Sequence, residues 1–256
     1  MKITQVRNAT LRIDYGGVRF LIDPMLAEPG AYPPFAGTSN LHLRNPLVPL
    51  STPLSELLDV DAVIVTHLHA DHWDAAAIDV IPKSMPIIAQ NAEDADVIRG
   101  QGFADVRHLD QVTGLAEVAL IKTGGQHGSD AAIEVLGSRL GKVCGVVFRH
   151  PAEKSLYLAG DTVWNRHVAA ALAMHRPEVV ILNAGAARID AVGLIIMGTA
   201  DVLSVFMAVP EARLVASHME ALNHCTLSRD ELRTFAGEQG FSDRIDIPGD
   251  GEALTF

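Results

Sequence analysis

The sequence predicts an α/β fold of the α+β kind, with two β-sheets packed face to face and helices on their outer surfaces. Three observations lead there. Short β-rich segments recur along the whole chain in two successive series. Amphipathic helical patterns fall between them. No Ser/Gly-rich linker, low-complexity run or fixed-period repeat divides the 256 residues. The sheets' inner faces and one face of each helix are apolar, and layered packing buries all of them.

The first series reads Ile3–Arg7, Thr10–Tyr15, Val18–Ile22, Ala62–Thr66 and Ile87–Ala89. Gly16-Gly17, between two alternating runs, marks a hairpin. The second series reads Leu115–Thr123, Ala131–Leu136, Val143–His150, Ser155–Ala159, Val179–Leu182, Arg213–Ala216 and Arg244–Ile247. Helical periodicity covers Ala75–Ile81, Ala92–Gln101, Arg166–His175, Thr199–Val209 and Ser228–Gln239, with Asn91 and Ser228 as N-caps. The sheets are expected to be antiparallel-rich, within one domain spanning residues 1–256. Met25–Pro53 fits neither pattern. With Pro24 it holds seven prolines, together with Tyr32, Phe35 and His42. A loop this long and proline-rich is expected to be functional, here a wall or lid over the site, or else an ordered surface feature.

Composition narrows the function. The chain is 48% hydrophobic and 20% charged, with a net charge of −11 and its Lys and Arg residues scattered. That excludes a phosphate-backbone partner, so no nucleic acid is expected. The stretch from Val179 to Val209 is broken by Arg188, Asp190 and Asp201, so it reads as strand, loop and helix and no membrane contact is expected. The first residues lack the apolar core of a secretory leader, and Cys144 and Cys225 stand 81 apart with no CxxC. A cytoplasmic protein is expected, and a homo-oligomer is compatible with the sequence.

Thr66–Asp74 reads Thr-His-Leu-His-Ala-Asp-His-Trp-Asp, three histidines and two aspartates directly after an apolar strand. These are ligand types for divalent metals, and packing them so closely costs repulsion and desolvation unless a cation neutralises them. In an extended loop His67 and His69 point to one side, while Asp71 and His72 can face a second ion. Other strands supply similar residues at their carboxyl ends: His127 after Gly124-Gly-Gln, Asp161 after Gly160, and His218 after Ala-Ser. Such ends converge on one sheet edge, where ligand sites of α/β proteins lie.

His67-Leu-His69-Ala-Asp71-His72 resembles the His-x-His-x-Asp-His signature of the metallo-β-lactamase superfamily. Gly-Gln-His127-Gly, Ala-Gly-Asp161-Thr and Ala-Ser-His218 are similar to that superfamily's third His, bridging Asp and last His. The opening residues, through Asp23-Pro24, resemble its first hairpin, and "IDIPGDGEAL" resembles its last strand. Length and spacing resemble the branch containing ascorbate-6-phosphate lactonases and many metal-dependent hydrolases. That branch often carries Gly-His-Ala in the first turn, where this chain has Arg7-Asn8-Ala9.

The resemblance implies a four-layer αββα sandwich. It implies two divalent metal ions, zinc by default with Mn2+ or Fe2+ compatible, one held by His67, His69 and His127 and the other by Asp71, His72 and His218, with Asp161 bridging. A metal-bridging hydroxide would then attack a small-molecule substrate: an ester, lactone, amide or phosphodiester. Asp71 could also orient the nucleophile or shuttle its proton. The alternatives are a non-catalytic metal-containing metabolite sensor and a redox di-iron protein; the redox branch usually has Glu where His69 stands.

Further residues carry weaker expectations. His224 would stabilise an oxyanion or protonate a leaving group, or be structural. Trp73 is expected to pack beneath the cluster, and Trp164 similarly. Asn183 and Arg188 lie on the same presumed edge, where Arg188 would suit a substrate phosphate or carboxylate. Cys225 reads as a small buried residue.

Overall fold

The computed structural model describes residues 1–109 and 114–256. The chain opens with an antiparallel meander, β1 (Lys2–Arg7), β2 (Thr10–Tyr15) and β3 (Val18–Ile22). After the proline-rich loop come α1 (Leu54–Leu57), β4 (Ala62–Val65), α2 (Ala75–Val80), β5 (Ile87–Ala89), α3 (Ala92–Gly100) and β6 (Val106–His108). The second half runs β7 (Ala119–Gly124), α4 (Asp130–Leu140), β8 (Cys144–Arg149), β9 (Leu156–Leu158), α5 (Arg166–His175) and β10 (Val179–Asn183). A short hairpin follows, β11 (Arg188–Ile189) and β12 (Gly193–Leu194). The chain ends with α6 (Thr199–Ala208), β13 (Arg213–Ser217), α7 (Arg229–Glu238), β14 (Ile245–Asp246) and β15 (Ala253–Thr255).

Two sheets result, ordered β15-β1-β2-β3-β4-β5-β6 and β14-β13-β10-β9-β8-β7. The alternation of β4 explains the layering. Ala62 and Ile64 point between the sheets, with Ile13, Phe20, Phe148 and Ile181. Val63 and Val65 point outward, against Leu57, Ala77 and Ile98 of α1–α3. The outer face of the second sheet is covered in the same way, by Val168 and Leu172 of α5, Val202 of α6 and Leu232 of α7. Each sheet is thus buried on both faces, giving four layers in the order αββα.

Three expectations need correction. Ala131–Leu136 is not a strand but the first half of α4, capped by Ser129, whose side chain accepts from Ala132 N. Extended to Leu140, the buried and half-buried positions Ala132, Ile133, Leu136 and Leu140 follow a helical period that six residues were too few to reveal. The sheets are not antiparallel-rich: β3 to β6 pair in parallel, as do β9, β10, β13 and β14. Parallel pairing follows from the helical crossovers between these strands. The closing segment is two strands, with β14 at the edge of one sheet and β15 at the edge of the other. The helix caps at Asn91 and Ser228 form as expected.

The proline-rich loop is anchored at its root by a fully buried cation. Arg7 donates to the carbonyls of Met25 (2.5 Å), Ala27 (3.0 Å) and Val48 (3.0 Å). Hydrogen bonds to charged groups contribute about 1.5–3 kcal/mol each and three are lost, so Arg7→Met should lose at least about 4 kcal/mol. Urea unfolding is the measurement. A variant as stable as the parent would mean that the loop root does not depend on Arg7.

Candidate metal centre

The carboxyl ends of β3, β4, β7, β9, β10 and β13 meet along one rim of the sandwich, and the donor residues lie there. His67, His69, Asp71 and His72 follow β4, His127 follows β7, Asp161 follows β9, and His218 follows β13. Two sets of side chains each have donor atoms within 4.8 Å of one another: His67, His69 and His127, and Asp71, His72, Asp161 and His218. All but His69 are buried. The turn before Asp161 needs glycine: Gly160 has φ +69°, and a Cβ there would stand 2.4 Å from the Cys144 carbonyl oxygen.

Each imidazole gives one nitrogen to the centre and the other to an outside partner. His67 Nδ1 meets Thr66 Oγ1 at 3.2 Å, and that hydroxyl donates to Asp23 Oδ2 at 2.7 Å. His72 Nδ1 meets the same Asp23 oxygen at 2.9 Å. His127 Nδ1 meets the Ile195 carbonyl at 2.8 Å, His69 Nε2 the Arg139 carbonyl at 3.1 Å, and His218 Nδ1 the Cys225 sulfur at 3.5 Å. Partners of this kind fix the tautomer and leave the inward nitrogen as a bare lone pair. Asp161 is divided similarly. Its Oδ1 accepts from Asn183 at 2.6 Å. Its Oδ2 faces His72 at 3.1 Å, His127 at 3.6 Å, His218 at 3.7 Å and His67 at 3.9 Å.

This donor set fits divalent metal. His67 Nε2 stands 3.0 Å from His69 Nδ1, and His72 Nε2 3.2 Å from His218 Nε2. Two lone pairs that close repel unless a proton or a cation lies between them. Burial holds His67 and His127 below the ordinary histidine range, with neighbouring imidazoles adding to the effect. Burial opposes ionisation of Asp71 and Asp161, yet His72 and His218 hold both well below the usual carboxylate range. His72 is desolvated too, but Asp161, Asp23 and Asp71 push it up to about 10, and His218 is raised for a similar reason. The pocket holds more negative charge than its imidazoles balance when neutral, and a cation would take the place of those protons.

Beside the donors opens a cleft of about 230 Å³. His69, Asp71 and His127 form its polar side; Phe35, Leu140, Ile189 and Ile195 supply an apolar wall, and Arg139 and His224 complete the rim. A larger depression of about 490 Å³ lies between Trp164 and Asp130, but none of the cluster carboxylates or histidines line it. His224 is buried, its ring centroid 4.6 Å from that of Phe35. Burial lowers it to about 4, with Asp71 opposing.

Other expected site residues are dispersed. Arg188 is exposed on β11, outside the cleft. Trp73 packs on Phe103 beneath the cluster and donates to Gln101. Trp164 is half-buried in the larger depression. Cys225 is half-buried against His218. The proline-rich loop reaches the cleft through Phe35 and Thr38, but Tyr32 turns away and donates to Asp74 at 3.2 Å.

Asn183 lies on the expected edge and holds Asp161, whereas Asp23 and Asn8 are partners of the cluster that the sequence does not single out. Asn8, in the left-handed region at φ +55°, donates to the Asp71 carbonyl (2.7 Å) and accepts from the His218 amide (3.0 Å), tying the two donor loops together. The sequence signals are a polar residue closing an apolar strand, at Asp23 as at Asn183, and the Arg7-Asn8-Ala9 turn.

The sequence matches the Beta-lactamase superfamily domain over residues 18–219. The chain belongs to the metallo-β-lactamase superfamily. Within it, the chain is 48% identical to UPF0173 protein YddR of Bacillus subtilis over the full length of both, and 28% identical to a UPF0173 metal-dependent hydrolase of Rubrobacter xylanophilus over 99% of this chain and 96% of that one. A solved isothiocyanate hydrolase from Delia radicum gut bacteria superposes with a TM-score of 0.97 at 50% identity, covering 100% of this chain and 99% of that one. A metal-dependent hydrolase structure from Veillonella parvula, described as possible, gives the same TM-score at 41% identity and the same coverage. The superfamily member described here is therefore of a metal-dependent hydrolase family, with His and Asp groups able to hold metal.

Asp23 touches both donor sets, directly through His72 and through Thr66 to His67. Loss of such an outer partner typically costs about 10–100-fold in metal affinity, and Asp23→Ala should do so with the fold retained. Competition with a chromophoric chelator measures it. Unchanged affinity would show that the imidazoles hold their tautomers without Asp23.

Proposed function

We propose that the chain is a dinuclear metal-dependent hydrolase acting on a small molecule with an apolar arm and an electrophilic carbon or phosphorus. The observation that carries this is Asp161 Oδ2, which faces histidines of both donor sets beside an apolar cleft. His67, His69 and His127 would hold one ion and Asp71, His72 and His218 the other, with Asp161 shared; zinc suits this nitrogen-rich set. Bound metal supplies an activated water and a Lewis acid at neutral pH.

The residues of the chain do the rest. At about 230 Å³ the cleft is smaller than the roughly 300–1,000 Å³ of sites for drug-sized ligands, so the substrate is small. Phe35, Leu140, Ile189 and Ile195 exclude water from its arm. Asp71, buried beside His218, would orient the attacking water. His224, neutral at pH 7, would donate a hydrogen bond from its N–H to the substrate heteroatom that gains charge.

Esters, lactones, amides and phosphodiesters all suit such a site. The 50% identity to an isothiocyanate hydrolase puts isothiocyanates first among substrates to test. In that reaction water adds to the central carbon, the C–N bond breaks, and amine and carbonyl sulfide leave; the proton must reach nitrogen. The net charge of −11 disfavours nucleic acid as a partner. No helix among the described residues is long and apolar enough to cross a membrane. Neither Cys144 nor Cys225 forms a disulfide, which suits a reducing cytoplasm. We read residues 1–256 as one hydrolase domain.

Elemental analysis of protein purified without chelator should give two divalent ions per chain. Asp161→Ala should keep the fold, lose one ion and lose most turnover. Retention of both ions with near-parental activity would remove its bridging role. His224→Ala should keep both ions and lower kcat about 100-fold, the low end of what a single donor to developing charge contributes. A parental kcat would make His224 a packing residue.

A further inference from the structure

We propose that Asn223 sets the width of the cleft by clamping the proline-rich loop to His224, and so decides which substrate arms are admitted. The proposal rests on the hydrolase reading for what enters the cleft, but not for the clamp itself. Asn223 is fully buried and directly precedes His224. Its Oδ1 accepts from the Phe35 amide at 3.1 Å and from Asn45 Nδ2 at 2.8 Å. Its Nδ2 donates to Thr38 Oγ1 at 2.9 Å and to the Ser39 carbonyl at 2.7 Å. A carboxamide has two donors and two acceptor lone pairs, and all four are used on one loop. The backbone of Asn223 continues the pattern, donating to Asn45 Oδ1 at 2.8 Å and accepting from Asn40 Nδ2 at 3.1 Å.

The geometry links this knot to the site. Phe35 and Thr38, held by Asn223, line the cleft, and so does His224. The edge-on contact of Phe35 with His224, at 4.6 Å between centroids, is therefore set from both sides by one amide. The loop tip has two other ties, Arg139 to the Ala36 carbonyl and the Asp190 amide to the Gly37 carbonyl. Both hold the residues after Phe35, and neither fixes its distance from His224. A fully satisfied buried polar network is rigid and fails sharply when one member is lost. The wall is thus fixed rather than mobile, and arms wider than the gap it leaves are refused.

The test separates width from apolarity by comparing pentanohydroxamic acid with its branched isomer pivalohydroxamic acid as metal-chelating probes of the loaded protein. The parent should prefer the straight acid about tenfold, the scale on which apolar pockets discriminate. Asn223→Ala should lower that preference at least severalfold while affinity for acetohydroxamic acid, which carries no arm, stays level and metal content is unchanged. Hydrogen exchange of residues 35–45 should speed up in the same variant. Phe35→Ala, with Asn223 intact, should lose the preference equally. Thr38→Val, which removes one of the four Asn223 contacts together with the Thr38 hydroxyl's own bond to the Phe35 carbonyl (2.6 Å), should move the ratio the same way by less and stands in if Asn223→Ala does not fold. Proportional weakening of all three acids, or an unchanged ratio despite faster exchange, would overturn the proposal. A parent protein that binds the acids but hydrolyses neither butyl nor tert-butyl isothiocyanate, nor simple esters and lactones, would sink the hydrolase reading, while the affinity ratio still decides the clamp.

Discussion

Five imidazoles and two carboxylates aim their donor atoms at one small volume, and the surrounding structure holds them there against their own repulsion. Left to themselves, His67 and His69, or His72 and His218, would rotate apart. They are kept in place because each outward nitrogen has a partner that fixes it: Asp23, Thr66, the Ile195 and Arg139 carbonyls, and the Cys225 sulfur. Those partners are themselves set by the fold. Asp23 accepts from the Thr66 amide at 2.7 Å because β3 and β4 run parallel and end together. The αββα layering is the means of bringing such strand ends onto a common rim.

The sequence made part of this legible, and the division has a physical cause. His67, His69, Asp71 and His72 are contiguous, so their shared purpose could be read without knowing the fold. His127, Asp161 and His218 each follow an apolar strand, and strand ends converge in any layered sheet protein. The outer partners could not be read this way. Asp23 lies 49 residues from His72, and Asn223 lies 178 from Asn45, and a lone Asp or Asn carries no sign of what it will meet. The β-rich look of Ala131–Leu136 misled because three β-branched or branched side chains weigh more in six residues than the helical period that only eleven reveal. Tyr32 and Phe35 are equivalent in sequence terms within one proline-rich loop, yet one bonds Asp74, the N-cap of α2, and the other lines the cleft.

The loop also shows how rigidity can be built without regular structure. Apart from the short Tyr32 bridge to Asn45, it has little ladder bonding. Its order comes instead from side chains that reach it from elsewhere, Arg7 and Asp74 at the root and Asn223 and Arg139 near the tip. Proline lowers the entropy that these contacts must overcome, so a few buried polar atoms suffice. Such a wall can vary in sequence at Phe35 without disturbing the donors, which all lie on other segments.

The donor residues also come from both sheets. His67, His69, Asp71 and His72 hang from the first, and His127, Asp161 and His218 from the second. An ion held between them is a cross-link across the seam of the sandwich, formed in the native state and absent from the unfolded chain. Mass action then makes the cohesion of the two halves a function of free metal, amounting to about 4 kcal/mol when the ion is present at a thousand times its dissociation constant. The same seven side chains would therefore join metal supply to the lifetime of the folded protein.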